Sequence, residues 1–430
     1  MAPAKFTYFN VTGLGETIRY LLSYGGVEFE DVRVTGETFA TMKEKLPLGQ
    51  LPILEFEGKT LFQSISIARF LANRFNLAGK DEWDKGTCDV AVDTIMDLRN
   101  ALHGFAYEKD EAVKKQKRGD AITKANYLVG KLEGFLAKNG GHFLKDEQLS
   151  WADIHLAAFA GYLNHMAGED LFSAAPKIKA LKAKIDALPA ISKYLEKRPA
   201  VSFNVLEANS NFAKSRQLIE SHVYFPKMAP TKLIYFDVTA LGEPIRYILH
   251  YSGTEFEDER LTSEQFAPRK PTFPFGKLPV LEIDGKTLHQ SVAICRYLAK
   301  KAGLAGKDES DALQCDIIVD TIGDMRTAMA GFHYEANEEA KVAKKELALN
   351  TTVPYYLEKF ETILKENGGY FVNGQLTWVD FWFAGLVDYL NYMAGTDILA
   401  SSPGLQALKA KVEDLPAIKK YLASRPAVRF

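Results

Sequence analysis

Tyr8-Phe9-Asn10-Val11-Thr12-Gly13-Leu14-Gly15-Glu16-Thr17-Ile18-Arg19-Tyr20 returns 227 positions later as Tyr235-Phe236-Asp237-Val238-Thr239-Ala240-Leu241-Gly242-Glu243-Pro244-Ile245-Arg246-Tyr247. The run Lys5-Phe6-Thr7-Tyr8-Phe9 is β-branched and aromatic, hence strand-like, and Gly13-Leu14-Gly15 breaks it. From Glu16, residues Ile18, Leu21 and Leu22 share one helical face. A strand, a glycine turn and a helix start are the parts from which an open α/β sheet builds its ligand site. The same offset links Met1-Ala2-Pro3 to Met228-Ala229-Pro230, Gln63-Ser64 to Gln290-Ser291, Cys88 to Cys315, and Trp151-Ala152-Asp153 to Trp378-Val379-Asp380. The chain therefore reads as two gapless copies of one unit, 1–203 and 228–430, joined by 204–227. A period this long exceeds the ~20–50 residues of solenoid repeats, so each copy is expected to be a complete fold.

Composition excludes several classes. Charged residues make 25% and hydrophobic ones 47% of the 430, with a formal net charge of −2. General nucleic-acid binding needs a basic face, which this balance does not provide. No apolar run approaches the ~18–20 residues of a membrane span, and the opening MAPAKFTYFN carries no signal-peptide core. Cys88, Cys295 and Cys315 form no CxxC pair and no disulfide framework, so a reducing cytoplasm is the expected location.

In each copy the first ~75 residues alternate short strand and helix signals. A second strand is expected over 28–34, two more around a tight turn at 53–62, and a helix over 64–75 with Ser64 as N-cap. The order β-α-β-α-β-β-α is that of a thioredoxin-like sheet with a crossover and a hairpin. From residue 81 onward the pattern is helical, with 83–107 and 111–139 long enough to pair in a bundle. Ser150 to Asp153 and Thr377 to Asp380 read as capping boxes opening a buried helix. The expected domains are 1–79 and 80–203, then the linker 204–227, then 228–306 and 307–430. As a flexible chain the linker would reach about 27 Å, and about 80 Å fully extended.

Three places could carry chemistry. Tyr8 and Tyr235 end a first strand before a helix N-terminus, where a phenol can donate to an anion beside free amides. A lone tyrosine at such a position is more often a core residue with a satisfied hydroxyl. Gln63-Ser64 and Gln290-Ser291 stand at a strand-to-helix junction, which suits a carboxylate. Leu51-Pro52 and Leu278-Pro279 precede a strand, where a cis proline would leave the leucine backbone free to pair with an extended peptide.

Together these pieces resemble the cytosolic glutathione S-transferases, most closely the sigma class, which includes the haematopoietic prostaglandin D synthases. Tyr8-Phe9-Asn10, Gly15-Glu16-x-x-Arg19-Tyr20, Gln50-Leu51-Pro52, Gln63-Ser64-x-x-Ile67-Ala68-Arg69, Val92-Asp93-Thr94, Trp151-Ala152-Asp153 and Arg198-Pro199 carry the likeness, and the second copy repeats the set. The resemblance implies glutathione as co-substrate, Tyr8 and Tyr235 holding its sulfur, and an interdomain pocket for hydrophobic electrophiles. It implies that Lys43 pairs with the glycine carboxylate, that the Leu51 backbone pairs with the cysteinyl unit, that Gln63 and Ser64 hold the γ-glutamyl carboxylate, and that Phe39, Gly49 and Gln50 also line the glutathione site. Asp97 would meet the γ-glutamyl amine across a two-fold contact. The second-copy counterparts are Phe266, Lys270, Gly276, Lys277, Leu278, Gln290, Ser291 and Asp324. The electrophile would lie among Phe9, Gly13, Leu14, Arg99, Leu102, Phe105, His155 and Phe203 in copy one. In copy two the set is Phe236, Ala240, Leu241, Arg326, Met329, Phe332, Trp382 and Phe430.

Departures from the family pattern shape the expectation. Leu14 and Leu241 replace an arginine beside the thiolate, and Phe39 and Phe266 replace a tryptophan. Gly104 and Gly331 stand where the prostaglandin synthases carry a tryptophan, and His155 and Phe159 replace their tyrosine and cysteine, so prostaglandin isomerisation is not expected. Met96 and Gly323 interrupt an acidic group that binds magnesium in some relatives, so no metal is expected. The expected function is conjugation of glutathione thiolate to apolar electrophiles, with hydroperoxide reduction as an accompaniment. A non-catalytic ligand carrier or crystallin-like protein on the same fold is the alternative. The two copies are expected to pack on each other as an intramolecular pseudo-dimer, without membrane or nucleic-acid partners.

Overall fold

Strand β1 (Ala4–Phe9) is the hub of the first sheet. It pairs in parallel with β2 (Phe29–Val34) and antiparallel with β3 (Ile53–Phe56), which pairs with β4 (Lys59–Phe62), giving the order β2-β1-β3-β4. The hairpin turns at Glu57-Gly58, both with positive φ, so the glycine supplies a left-handed position without a Cβ. Helices α1 (Glu16–Tyr24), α2 (Gly36–Met42) and α3 (Ser64–Arg74) complete the β-α-β-α-β-β-α order. These features belong to a computed structural model that describes residues 4–108, 110–199 and 231–427.

The second domain of this unit is all helical: α4 (Glu82–Ala106), α5 (Glu111–Lys138), α6 (Trp151–Ala167), α7 (Pro176–Asp186) and α8 (Pro189–Lys197). Helix α6 is buried along nearly its whole length and must cap itself. The Asp153 carboxylate accepts from the Ser150 amide at 2.7 Å and from the Phe143 amide at 2.9 Å. Two clasps join the domains. The Trp151 amide donates to the Leu77 carbonyl, and Arg69 pairs with Asp89 at 2.7 Å while lying over the Trp151 ring.

The second unit repeats this plan. Strands β5 (Thr231–Phe236), β6 (Phe256–Leu261), β7 (Val280–Ile283) and β8 (Lys286–His289) take the order β6-β5-β7-β8. Helices α9 (Glu243–Tyr251), α10 (Ser263–Arg269) and α11 (Ser291–Lys301) belong to that sheet. The helical part comprises α12 (Glu309–His333), α13 (Glu338–Leu347), α14 (Val353–Glu366), α15 (Trp378–Ala394), α16 (Pro403–Glu413) and α17 (Pro416–Ser424). Each unit is thus a mixed β-sheet domain followed by a helical one, as the sequence pattern implies. Two compact units make up the chain. No helix among the described residues is long and apolar enough to cross a membrane.

The expectation of gapless copies is corrected between α13 and α15. Buried Ala125, Leu128, Val129, Leu132 and Leu136 of α5 correspond to buried Val353, Tyr356, Leu357, Phe360 and Leu364 of α14, an offset one greater than elsewhere. A π-helical turn at Ala348–Thr352 absorbs the extra residue. The following loop is one residue shorter: Phe143 is ten positions from Asp153, whereas Phe371 is nine from Asp380, with the same hydrogen bond in both. The insertion and deletion cancel, so the 227 offset resumes by Thr377.

Candidate active site

Tyr8 sits near the end of β1 with its side chain buried, and its hydroxyl oxygen accepts from the Leu14 amide at 3.2 Å. Tyr235 repeats this with Leu241, again at 3.2 Å. Because the oxygen accepts from the backbone, its O–H remains available to donate. Gly15 and Gly242 make this approach possible. A Cβ at either would lie 2.4 Å from the tyrosine Cδ1. Burial pushes both phenols up to about 12, although the Leu14 and Leu241 amides pull the other way. Both are therefore neutral hydrogen-bond donors near pH 7, not phenolate bases.

Arg19 fixes the loop that follows. It is fully buried and donates to the carbonyls of Val11 (3.0 Å) and Phe9 (3.3 Å), with its guanidinium 5.8 Å from the Tyr8 ring centroid. Glu16 and Asp31 neutralise it, and Tyr194 and Arg198 at the end of α8 close on Glu16. Arg246, Glu243, Asp258, Tyr421 and Arg425 rebuild the same network. A buried charge cluster of this kind is costly to break and sets geometry more than stability.

Phe39 of α2 packs edge-on against Phe9 at 5.2 Å, and Phe266 of α10 against Phe236 at 5.0 Å. Lys43 and Lys270 begin the short 3-10 turns after those helices and are exposed. Gly49 and Gly276 hold left-handed φ values just before Gln50 and Lys277. The peptide bonds Leu51-Pro52 and Leu278-Pro279 are cis.

At the α3 junction the structure differs from expectation. Gln63, not Ser64, is the N-cap, and no side chain caps the helix; Ser64 is the first helical residue and is buried. Ser64 begins the helix because Gln63 takes φ 67° and ψ 111°, a conformation that side-chain-bearing residues rarely adopt. Gln290 does the same at 68° and 114°, before Ser291. Strain of this kind persists where the surroundings impose it, and here it falls twice on the residue expected to grip a carboxylate. Neither Gln63 nor Gln290 caps its helix with its own side chain, and the starts of α3 and α11 lie at the same spot.

On α4 the buried residues Leu102 and Phe105 follow one helical face, with half-buried Arg99 one turn before Leu102 and half-buried Asp97 two positions before Arg99. Arg99 lies close enough to Tyr8 to stabilise its anion, yet its own Nε is buried without a hydrogen-bond partner among the described residues. On α12 the set is Asp324, Arg326, Met329 and Phe332, with Arg326 acting likewise on Tyr235. Gly13 takes φ 41°, and a Cβ there would stand 3.0 Å from the Tyr8 hydroxyl oxygen. Ala240 holds nearly the same φ, 36°, and carries that methyl.

His155 is bound into the seam between α1 and α6. Its Nδ1 is 2.9 Å from the Thr17 Oγ1, and burial lowers its pKa to about 3, so it stays neutral and is no general base. Trp382 replaces it together with Pro244 for Thr17 and Gly385 for Ala158. A Cβ at Gly385 would be 2.9 Å from the Pro244 nitrogen. The absence of a side chain at Gly385 thus makes room for Pro244 in this seam. Phe203 and Phe430 lie outside the described residues.

Comparison with known proteins gives the family. A glutathione S-transferase of Anopheles gambiae is 46% identical over 199 residues, which are 46% of this chain and 98% of the relative. The chain belongs to the glutathione S-transferase family. The family's N-terminal domain matches residues 4–73 and 231–300, and its C-terminal domain matches 96–198 and 323–425. Glutathione S-transferase S1 of Drosophila melanogaster is 46% identical over 45% of this chain and 78% of its own length. A hematopoietic prostaglandin D synthase of Rattus norvegicus is 37% identical over 46% of this chain and 98% of its own. Membership supports a glutathione-conjugating transferase at the level of the family, with glutathione as substrate.

Sequence reasoning missed two tyrosine pairs of this glutathione S-transferase. Tyr107 and Tyr162 share a hydrogen bond between hydroxyls at 2.7 Å, and Tyr334 and Tyr389 share one at 2.9 Å. Each pair lies within electrostatic reach of Tyr8 or Tyr235 in its own unit. Their repetition at the 227 offset was the available signal, but the partners are separated by 55 positions. Among the described residues no group of three or more His, Cys, Asp or Glu side chains could hold a metal ion.

Proposed function

We propose that this chain is a sigma-class-like tandem transferase with two working sites. Each joins glutathione thiolate to a hydrophobic electrophile. The observation that carries this reading is the repeated phenol, buried and held by a backbone amide beside a helix start. A free thiol has a pKa near 8.5 and is mostly protonated at neutral pH. Tyr8 or Tyr235 donates to the sulfur and favours the thiolate, while the thiol proton leaves to water. The thiolate then forms a carbon–sulfur bond and the electrophile's leaving group departs with its electron pair.

In this reading Lys43 with Phe39, and Lys270 with Phe266, hold the glycine end. Gly49, Gln50 and Leu51, and Gly276, Lys277 and Leu278, line the cysteinyl segment. The strained Gln63 and Gln290, with Ser64 and Ser291, take the γ-glutamyl carboxylate at an uncapped helix start, which suits an anion. The electrophile lies along Phe9, Leu14, Arg99, Leu102 and Phe105, or along Phe236, Leu241, Arg326, Met329 and Phe332. Reduction of organic hydroperoxides would use the same thiolate. Prostaglandin isomerisation is no part of this reading, because Gly104 supplies no ring and His155 no phenol.

The proposed domains are 1–79, 80–203, 228–306 and 307–430, with a cytoplasmic protein whose copies pair within one chain. A two-fold contact can be imitated by two similar copies, and a tether raises their effective concentration to about millimolar. Asp97 then completes the Tyr235 site and Asp324 the Tyr8 site. Retention on a glutathione-affinity column and conjugation of a chlorinated nitroaromatic test the function; absence of both would defeat it. The crossed pairing predicts that adding Asp324→Ala to Tyr235→Phe raises the glutathione KM of the remaining site, and an unchanged KM would rule it out.

A further inference from the structure

The segment between the second strand and the cis proline is built differently in the two units. In the first unit α2 starts with Gly36, a residue of high chain entropy, and its cap is Thr35 accepting from the Thr38 amide at 3.2 Å. In the second unit Thr262 and Gln265 form a full capping box, with the Thr262 amide donating to Gln265 at 2.9 Å. Val32 and Met42 of the first unit cannot form an ion pair. Their counterparts Glu259 and Arg269 do, joining the end of α10 to β6, and Lys232 adds a second contact to Glu259 at 3.0 Å. The Arg269 guanidinium holds the Glu259 carboxyl below its ordinary range.

Aromatic packing follows the same division. Arg269 lies 5.1 Å from the centroid of Phe273, and Phe273 stacks on Phe266 at 5.9 Å with 10° between planes. Phe273 joins a buried cluster with Ile234, Leu261 and Val280, whereas Leu46 holds that position in the first unit. Pro268 and Pro271 replace Thr41 and Glu44; Pro268 lies inside α10, where it removes an amide donor, whereas Pro271 reduces the freedom of the turn that follows Lys270. Cap, ion pair and stack all act on the seven-residue helix that carries Phe266 and leads into Lys270.

We infer that Arg269 is a positioning residue, bracing α10 so that the second unit's site presents Phe266 and Lys270 to glutathione ready-formed, and that the second site therefore binds glutathione more tightly than the first. The inference rests on the reading of those two residues as the grip on the glycine end. A segment that is competent only part of the time weakens apparent affinity by the competent fraction. A half-buried ion-pair network with a capping box biases such an equilibrium by a few-fold, so the difference is about 3- to 10-fold.

Hydrogen exchange on the full chain without glutathione reads the brace directly. After correction for intrinsic rates, amides of 263–269 should exchange about 3- to 10-fold more slowly than those of 36–42. Arg269→Met should remove most of that excess in the second unit alone, and Arg269→Lys should retain part of it. Equal protection of the two segments, or an excess insensitive to Arg269→Met, would overturn the inference. The kinetic arm uses Tyr8→Phe chains, in which the second site carries the turnover. Arg269→Met should raise the glutathione KM about 3- to 10-fold with kcat nearly unchanged, and Val32→Glu with Met42→Arg should lower the KM of the first site in Tyr235→Phe chains. An unmoved KM would overturn it. A chain that binds no glutathione would defeat the functional reading while the exchange arm still reported on the brace.

Discussion

Replacing Tyr8 by phenylalanine removes one hydroxyl and little else. The ring keeps its place against Gly15 and its edge contact with Phe9, while the Leu14 amide loses its acceptor. A hydrogen bond to a charged sulfur is worth about 1.5–3 kcal/mol, which is about 1–2 units of thiol pKa and about 10- to 150-fold in rate. Bound glutathione in the intact site should therefore ionise about 1–2 units below the ~8.5 of a free thiol. In the variant site it should return toward that value. The sign fixes the pH dependence. The donor's contribution is full below the thiolate pKa of the intact site, and it is lost as pH rises through the pKa of the variant. Since the phenol itself stays protonated to about 12, its own ionisation does not intrude. Thiolate absorbance titration on Tyr235→Phe chains, with and without Tyr8→Phe, measures the shift, and kcat/KM for a chlorinated nitroaromatic gives the rate. A thiol pKa that does not move, or a loss of rate that grows with pH, would refute the donor role.

Further outcomes follow from single contacts. Gly15→Ala puts a methyl where the Tyr8 ring lies, 2.4 Å from Cδ1, so it should cost the first site at least as much kcat/KM as Tyr8→Phe in single-site chains. Gln63→Gly relieves a φ of 67° and should raise thermal stability by the equivalent of ~1 kcal/mol while raising the glutathione KM, a split that parallel melting and kinetic curves would detect. Asp153→Ala strands the Phe143 and Ser150 amides at a buried helix start and should destabilise the first unit by about 2–4 kcal/mol, seen as an earlier unfolding transition. Ala240→Gly removes the methyl beside Tyr235 and should shift the second site's electrophile preferences toward those of the first, checked on a panel of substrates.

The first domain was the most legible part of the sequence. Its strands are short, separated by glycine turns and strongly patterned, so β1, α1 and the hairpin emerge almost residue for residue. Tyr8 alone reads as readily as a core phenol, and it was legible as a candidate only through the combined order and spacing of the motifs around it. What the sequence hid was backbone geometry and long-range contact. The left-handed Gln63 follows from the junction, not from glutamine, and it moves the helix start by one residue from the expected cap. The π turn at Ala348–Thr352 was hidden because a one-residue shift between two fixed anchors leaves both anchors in register. His155 reads as a pocket residue by analogy of position, yet its partner Thr17 lies 138 positions away and ties it into the seam between domains. The tyrosine pairs were missed for the same reason.

The central claim is that both units hold glutathione. Calorimetric titration of the intact 430-residue chain should give two molecules bound per chain, the two sites resolved or overlapping according to the strength of the brace at Arg269. A stoichiometry of one would mean that one unit keeps the fold without the site, and a stoichiometry of zero would leave neither working; either result contradicts the account.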